Sequence, residues 1–221
     1  PAARGAPPSE RRMPHLHDFG AGNGKTWLWL HGQGFLKHKK TGQDTRVPLS
    51  NLALSGGTAC VPDSEYGQFL ALYAEDMANP CVRLHFTECR GETFKMYVDV
   101  DAVDDRAWGP PEFDKLARAF GRAVRKFFPG SAAGAPLCTQ LFASAEPLQL
   151  AGGKLKTGVH VIFPYLVVDQ DRALTLRESM LAEAHAEFGE QGVPIEAWRD
   201  ILDYSVYSDP TSGLRMVGSN K

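Results

Sequence analysis

The stretch from Lys95 to Val103, KMYVDVDAV, constrains the fold of this chain more than any other part of the sequence. Apolar and aromatic residues lead directly into two carboxylates, Asp99 and Asp101, as in a β-strand that ends at a polar site. Side chains alternate along a strand, so the two aspartates share one face, with Cα atoms roughly 6.5–7 Å apart. Like charges on one face are costly unless something positive lies between them. The stretch predicts a site for Mg²⁺ or Mn²⁺ or, alternatively, an acidic turn.

The periodicity of the rest of the chain predicts a mixed α+β (or α/β) fold with a largely antiparallel sheet. The clearest helix begins at Pro110-Pro111, carries an apolar stripe and ends at Pro129-Gly130. Other helices are predicted at about 63–77, 171–188 and 194–201, and strands at 26–31, 82–87, 93–100, 137–143 and 159–168. Arg90-Gly91 predicts a hairpin, and the Pro210–Gly213 turn predicts a second one that joins 202–207 to 214–217.

Composition excludes several classes of protein. A chain of 221 residues is long enough for one large domain or a bilobed one, and its mean hydropathy of -0.27, with no apolar run of about 18 residues, excludes a membrane span. The four cysteines form no CxxC pair, which predicts free thiols in a reducing compartment. The start has neither an initiator Met nor a signal peptide, so we expect a fragment of a longer protein.

Charge is distributed unevenly along the chain, although the net charge is only -2. Residues 1–50 hold eight Lys or Arg against three acids, which indicates either a solvated basic tail or an arm for a polyanionic partner. We expect residues 1–20 to be a flexible segment and residues 21–221 to form the core.

A second polar cluster lies in the strand-like run KLKTGVHVIFP, from Lys154 to Pro164. Lys156 and His160 are four residues apart and share a face of an extended chain, with Gly158 between them. A position without a side chain lets a ligand approach the backbone, so this arrangement suits a triphosphate. The alternative for His160 is a hydrogen-bonded core residue.

A third cluster lies near the C-terminus. Asp203 begins the run LDYSVY, and the chain returns with Arg215 in LRMVGSNK, which ends at Lys221. An acid opposite two cations is either a cross-strand salt bridge or a third metal ligand beside phosphate-binding cations. Three acids for metal and four cations for phosphate would match the division of labour in two-metal phosphoryl transfer.

These three clusters, in this order, resemble the motifs of the archaeo-eukaryotic primases, and most closely PrimPol proteins and the primases of large eukaryotic DNA viruses. Tyr97-Val-Asp-Val-Asp101 resembles the first motif, Lys156-Thr-Gly-Val-His160 the second, and the segments around Asp203 and Leu214-Arg-Met the third. The resemblance covers about residues 55–221 and includes the upstream runs SGG, FLALYA and FTE.

The resemblance implies an N-terminal α/β unit, a C-terminal unit like an RNA-recognition motif, and an active site in the cleft between them. It implies that Asp99, Asp101 and Asp203 bind two Mg²⁺ or Mn²⁺ ions during primer synthesis or extension on single-stranded DNA. The residues implied for binding the nucleoside triphosphate are Lys156, Gly158, His160, Arg215 and Lys221.

The resemblance also implies partners and a location. A helicase domain or subunit would lie outside this fragment, no membrane would be involved, and the protein would act inside the cell, in the nucleus or a viral replication compartment. Three features depart from the family pattern: Gly158 stands where many members have Ser, the first motif is DxD where some relatives have DxE, and no Cys/His zinc cluster is present. The basic face of the 110–127 helix is either solvated or a template contact: Lys115, Arg118, Arg122 and Arg125.

Other interpretations fit parts of the sequence. Asp99-Val-Asp-Ala-Val103 also matches the DxDx[TV] pattern of haloacid-dehalogenase-type phosphatases, although no late acidic pair follows. A DxD glycosyltransferase would use the acids but not the Lys/His and Arg/Lys clusters. A non-catalytic nucleic-acid-binding module would not need three carboxylates, which repel phosphates. Phe19–Thr26 resembles a P-loop, but Phe19 replaces its first glycine and a strand is predicted to follow.

Overall fold

A computed structural model describes residues 24–37, 51–53, 58–129, 139–144, 146–189, 193–208 and 212–219. The helices and strands follow one another along the chain in the order α1 Lys25–Gly32, β1 Leu36–Lys37, β2 Asn51–Ala53, β3 Thr58–Ala59, α2 Asp63–Met77, β4 Phe86–Glu88, β5 Thr93–Asp104, α3 Pro110–Phe127, β6 Gln140–Ala143, β7 Leu148–Gln149, β8 Leu155–Asp169, α4 Gln170–Phe188, α5 Ile195–Ile201 and α6 Ser205–Ser208. This mixed α+β content is as predicted, and every strand pairing in the described ranges is antiparallel.

The strands form two sheets. The first has the order β1-β3-β2-β4, and the second has the order β5-β8-β6 with β7 also paired to β8. β5 and β8 are the long strands, at 12 and 15 residues, and they pair along most of their length. The second sheet is therefore the platform that positions the polar clusters found in the sequence.

The two faces of β5 are chemically different. Met96, Val98, Val100 and Ala102 are almost completely buried in the main core. That core also contains the apolar stripes of α3 and α4, which pack on this face, and the fully buried Trp198 of α5. The alternate residues, including Asp99 and Asp101, point to the other face, where burial is only partial. The period of two in the sequence thus places the carboxylates on the open face of the sheet.

Helix α3 has the bounds predicted from its sequence. Pro110 and Pro111 occupy the first helical positions, where the missing N–H groups need no partner. The Glu112 side chain accepts a hydrogen bond from the Gly109 N–H at 2.9 Å and so closes the first turn. One face, which includes Leu116, Phe120 and Val124, is buried in the main core.

Several cations on the basic face of α3 contact α4. Arg122 forms ion pairs of 2.8 and 2.6 Å with Glu183 and Glu187 of α4, and Arg118 also pairs with Glu187. Lys115 Nζ lies 5.2 Å from the centre of the Phe188 ring. Lys115, Arg118 and Arg122 therefore bind α3 to α4, whereas Arg125 is exposed, and a template contact on this face stays a prediction.

The strand predicted at 26–31 is wrong, because residues Lys25–Gly32 form helix α1. The run TWLWLH is short and apolar, and such a run fits either structure. The Asp76 carboxylate of α2 decides the matter, since it accepts the backbone N–H groups of Lys25 and Thr26 at 2.9 and 2.7 Å. An acid already occupies the anion-binding end of α1, which argues against a phosphate there.

Both predicted hairpins are also wrong. β4 pairs with β2, and β5 pairs with β8, so the chain crosses between sheets near Arg90. The Arg90 guanidinium donates to the Tyr207 carbonyl oxygen at 2.8 Å, which anchors this crossing. At the C-terminus residues 205–208 are helical, and Arg215 forms a bridge with Thr87 of β4 rather than with 202–207.

The remaining predictions concern the cysteines, the two ends of the chain and membrane spans. Cys60, Cys81 and Cys89 form no disulfide, as predicted, whereas Cys138, Lys221 and the 1–20 segment lie outside the described residues. Among the helices that the structure describes, none combines the length and apolar character needed to cross a lipid bilayer.

Candidate active site

Three carboxylates meet on the open face of the second sheet. Asp99 and Asp101 project from β5, and Asp203 projects from the segment that follows α5. Each contributes an oxygen, and these oxygens all lie within 4.8 Å of one another. The structure therefore brings Asp203 of the third motif to Asp99 and Asp101 of the first.

Backbone contacts determine the position of Asp203. Leu202 forms an isolated antiparallel bridge with Val100 of β5, and the Asp203 N–H donates to the Asp99 carbonyl oxygen at 2.9 Å. Leu202 is fully buried, which fixes the chain where it passes β5. Asp203, which follows Leu202, must then lie beside Asp99 and Asp101 on the open face of the sheet.

Two further contacts hold this segment in place. The Tyr97 and Tyr207 rings stack with centroids 5.4 Å apart; the Tyr97 hydroxyl donates to the Val206 carbonyl at 3.1 Å, and that of Tyr207 donates to the Tyr97 carbonyl. Ser205 orients the Asp203 side chain, since its N–H and hydroxyl donate to the two carboxylate oxygens at 2.7 and 2.8 Å. Each carboxylate oxygen keeps a free lone pair for a ligand.

The cations predicted on β8 lie on the same face. The register pairs Asp99 with His160 and Asp101 with Gly158. Lys156 Nζ donates to Asp101 Oδ2 at 2.6 Å, and His160 Nε2 lies 3.7 Å from Asp99 Oδ1. Lys156 remains 27% exposed, so its ammonium group is accessible to a ligand above the sheet.

Arg215 reaches the site from the first sheet. The segment around it pairs with β4, through hydrogen bonds of 2.9 Å from the Glu88 N–H to the Leu214 carbonyl and from the Met216 N–H to the Phe86 carbonyl. Arg215 and His160 line the same cavity of about 540 Å³, together with Tyr73, Phe94, Tyr97 and Met216.

Most of the chain matches a known protein family. The family model described as the C962R protein N-terminal AEP domain, where AEP is archaeo-eukaryotic primase, matches residues 51–221. The chain belongs to this primase family. The resemblance drawn from the three motifs is thereby confirmed, and the matched range contains all the predicted site residues. No curated protein matches the chain.

The electrostatics of this candidate site reflect three acids held close together. Burial, followed by the charges of Asp101 and Asp203, raises the pKa of Asp99 to about 6, although Lys156 and Arg215 act in the opposite direction. Burial and the Arg215 guanidinium lower the pKa of His160, while Asp101 acts against them. The His160 imidazole is therefore neutral at pH 7 and can donate one N–H.

The donor set of the candidate site fits a hard divalent cation. Its three carboxylates supply only oxygen ligands, which Mg²⁺ and Mn²⁺ prefer. Their separation allows one cation to contact all three residues. The raised pKa of Asp99 reflects its burial first and then the charges of the two neighbouring acids, both of which disfavour the charged carboxylate.

Replacement of Asp99 by asparagine is expected to stabilise the metal-free primase domain at pH 7. Because the folded-state pKa is about 6 and the ordinary value is 3.8, the destabilisation is absent below about pH 4, grows between pH 4 and 6, and is complete above that. We expect a gain of about 1–3 kcal/mol in the free energy of unfolding at pH 7. Urea denaturation in EDTA at pH 4 and pH 7 measures it; an equal or lower stability of the variant at pH 7 would contradict the expectation.

Sequence reasoning missed Arg177 and Ser205. Arg177 is 4% exposed in α4, and its Nε donates to the Leu202 carbonyl at 2.9 Å, directly before Asp203. A buried arginine in a helix carries no sequence signal that names its partner. The serine two residues after Asp203 is a recognisable local signal, because such residues hydrogen-bond to a nearby Asp in turns.

Proposed function

We propose that this chain is the catalytic core of a DNA-dependent primase–polymerase. It would synthesise or extend nucleic-acid primers on single-stranded DNA by transfer of nucleotidyl groups. One observation carries the proposal: three carboxylates lie within 4.8 Å of one another on a sheet face that also presents Lys156 and His160. The family, one of primase–polymerase-type nucleotidyltransferases, supports the same reaction class.

In this proposal Asp99, Asp101 and Asp203 hold two divalent ions. When bound, these ions would bring the attacking 3′-hydroxyl and the α-phosphate together and would neutralise charge that develops on the phosphate oxygens. The protein contributes a rigid arrangement, because Asp99 and Asp101 belong to a central strand and Asp203 is tied to it through the backbone. Rigid positioning is the main requirement of phosphoryl-transfer catalysis.

The cations would bind the triphosphate of the incoming nucleotide. Lys156 now donates to Asp101, and a phosphate oxygen can replace that acceptor. Neutral His160 would donate one N–H, and Arg215 would offer the paired N–H groups that suit phosphate. Lys221 is proposed for the same role, from its place in the third motif. Gly158 would leave the backbone open to the ligand, since it lies between the two β8 residues.

Two cavities flank the acids and suit the remaining parts of the substrate. The cavity of about 540 Å³ beside His160 and Arg215 has aromatic walls and would receive the base and sugar of the nucleotide. A wider cavity of about 840 Å³, lined by Asp101, Lys154, Lys156 and Trp108, would receive the template strand. The second sheet with α3 and α4 would be the unit that resembles an RNA-recognition motif.

The partners and location are proposed from the family alone. They are single-stranded DNA, nucleoside triphosphates, a helicase domain or subunit, and the nucleus or a viral replication compartment.

Template-dependent incorporation tests the proposed function. The protein is incubated with single-stranded DNA, labelled ribo- or deoxynucleoside triphosphates, and Mn²⁺ or Mg²⁺, and product lengths are measured. We expect products whose length is limited by the template, and none in EDTA or without the template. Binding of the DNA without any incorporation would favour a non-catalytic module instead, and release of inorganic phosphate alone would favour a phosphatase.

A further inference from the structure

The third strand of the second sheet brings a polar group to the site that none of the three motifs contains. β6 pairs with β8 so that Phe142 lies opposite His160, and the pairing continues where the Ser144 N–H donates to the Gly158 carbonyl oxygen at 2.9 Å. Directly opposite residues of neighbouring strands share a face. Ser144, Gly158 and Asp101 therefore form one row across the open face of the sheet.

The missing side chain of Gly158 leaves a gap in the middle of this row. A β-carbon added to Gly158 would lie 4.0 Å from Ser144 Oγ and 3.7 Å from Asp101 Oδ1. The Ser144 hydroxyl therefore borders the gap on one side, and the Asp101 carboxylate borders it on the other. Along β8, Lys156 and His160 lie at its two ends, since they precede and follow Gly158 by two residues on the same face.

We infer that Ser144 is a triphosphate-binding residue, whose hydroxyl donates a hydrogen bond to the phosphate chain in the gap above Gly158. The inference rests on the proposed function. A triphosphate above Gly158 presents acceptor oxygens to both cations and lies within reach of this hydroxyl. Ser144 is exposed, so its hydroxyl can rotate toward a ligand without disturbing the packing of the core. The phosphate would then have three donors around it, namely the Ser144 hydroxyl, Lys156 and His160, and the acids would lie on the remaining side.

Equilibrium binding of a labelled nucleoside triphosphate, with Mg²⁺ but without template, separates this role from catalysis. Ser144→Ala is expected to weaken binding about tenfold, the loss typical of one hydrogen bond to a charged acceptor. Ser144→Thr keeps the hydroxyl and should bind nearly as the wild type does. Ser64→Ala, an exposed serine in the first turn of α2, is the matched control and should have no effect.

Double variants that move the hydroxyl from position 144 to position 158 provide the decisive test. Gly158→Ser places an oxygen in the same gap, and the contact distances of the added β-carbon are ordinary, so the change should be tolerated. The double variant Ser144→Ala, Gly158→Ser should recover most of the lost affinity, whereas Ser144→Ala, Gly158→Ala should not. In steady-state incorporation the loss should fall on KM for the nucleotide and leave kcat within about twofold, as for an interaction made equally in ground and transition states.

Unchanged nucleotide binding in Ser144→Ala would overturn the inference and leave the proposed function intact. A loss that the Gly158→Ser hydroxyl does not restore would also overturn it, because Ser144 would then act only through the local backbone. A wild-type protein that binds no nucleoside triphosphate would overturn the proposed function, and this inference with it.

Discussion

Replacement of Asp203 by alanine should reduce nucleotide incorporation at least about a thousandfold while the protein stays folded. The variant removes one of the three oxygens proposed to hold the divalent ions, and the stabilisation of charge by such ions is worth several kcal/mol, at 1.36 kcal/mol per factor of ten. The measurement is the initial rate of template-dependent incorporation at saturating nucleotide in Mn²⁺. Calorimetric titration with Mn²⁺ should show weaker metal binding in the same variant.

Two further variants separate charge from structure. The Asp203 side chain accepts two hydrogen bonds from Ser205, so its loss costs about 1 kcal/mol of stability through the turn alone. Asp203→Asn retains an acceptor for the Ser205 N–H but lacks the charge, and it should be nearly as inactive as alanine. Asp171→Ala, an exposed aspartate in the first turn of α4, should remain active. Equal product from the wild type and Asp203→Ala would rule out the proposed metal site.

The parts of the site that lie on single strands could be predicted from the sequence. The alternation of side chains puts Asp99 with Asp101, and Lys156 with His160, on common faces wherever those strands lie in the fold. Helix α3 could be predicted for a similar reason, because its prolines and its apolar stripe act locally. Local rules were sufficient for these elements because no distant residue alters them.

The predictions that failed depend on contacts between distant parts of the chain. The run TWLWLH suits a strand or a helix, and the Asp76 carboxylate from α2 selects the helix. Arg90-Gly91 has the chemistry of a tight turn, yet β5 finds a longer partner in β8 than β4 could offer. The Leu202–Val100 bridge holds Asp203 beside Asp99, and it has no sequence signature. The proximity of these two acids could therefore be expected only from the family resemblance.

Replacement of Arg177 by methionine should lower the free energy of unfolding by about 2–4 kcal/mol. The buried guanidinium donates to the Arg199 carbonyl at 2.8 Å and to the Leu202 carbonyl through both Nε and Nη2. These carbonyls lie at the C-terminal end of α5, where helix geometry leaves them without partners and a positive charge is favourable. Methionine fills a similar volume but leaves the buried oxygens unsatisfied. Urea denaturation, followed by circular dichroism, measures the change.

The same substitution should also weaken the site, because Leu202 is the residue that positions Asp203. We expect the folded variant, assayed well below its unfolding temperature, to bind Mn²⁺ and to incorporate nucleotides about ten- to a hundredfold less well, as for a small misplacement of a reacting group. Arg172→Met is the matched control: Arg172 lies on the same helix, its side chain is 63% exposed, and it pairs with Asp169 at the helix start. Equal stability of the two variants would show that the carbonyls of α5 do not need Arg177. Normal Mn²⁺ binding by a destabilised Arg177→Met would confine the role of Arg177 to the fold and leave the Leu202–Val100 bridge alone to position the third acid.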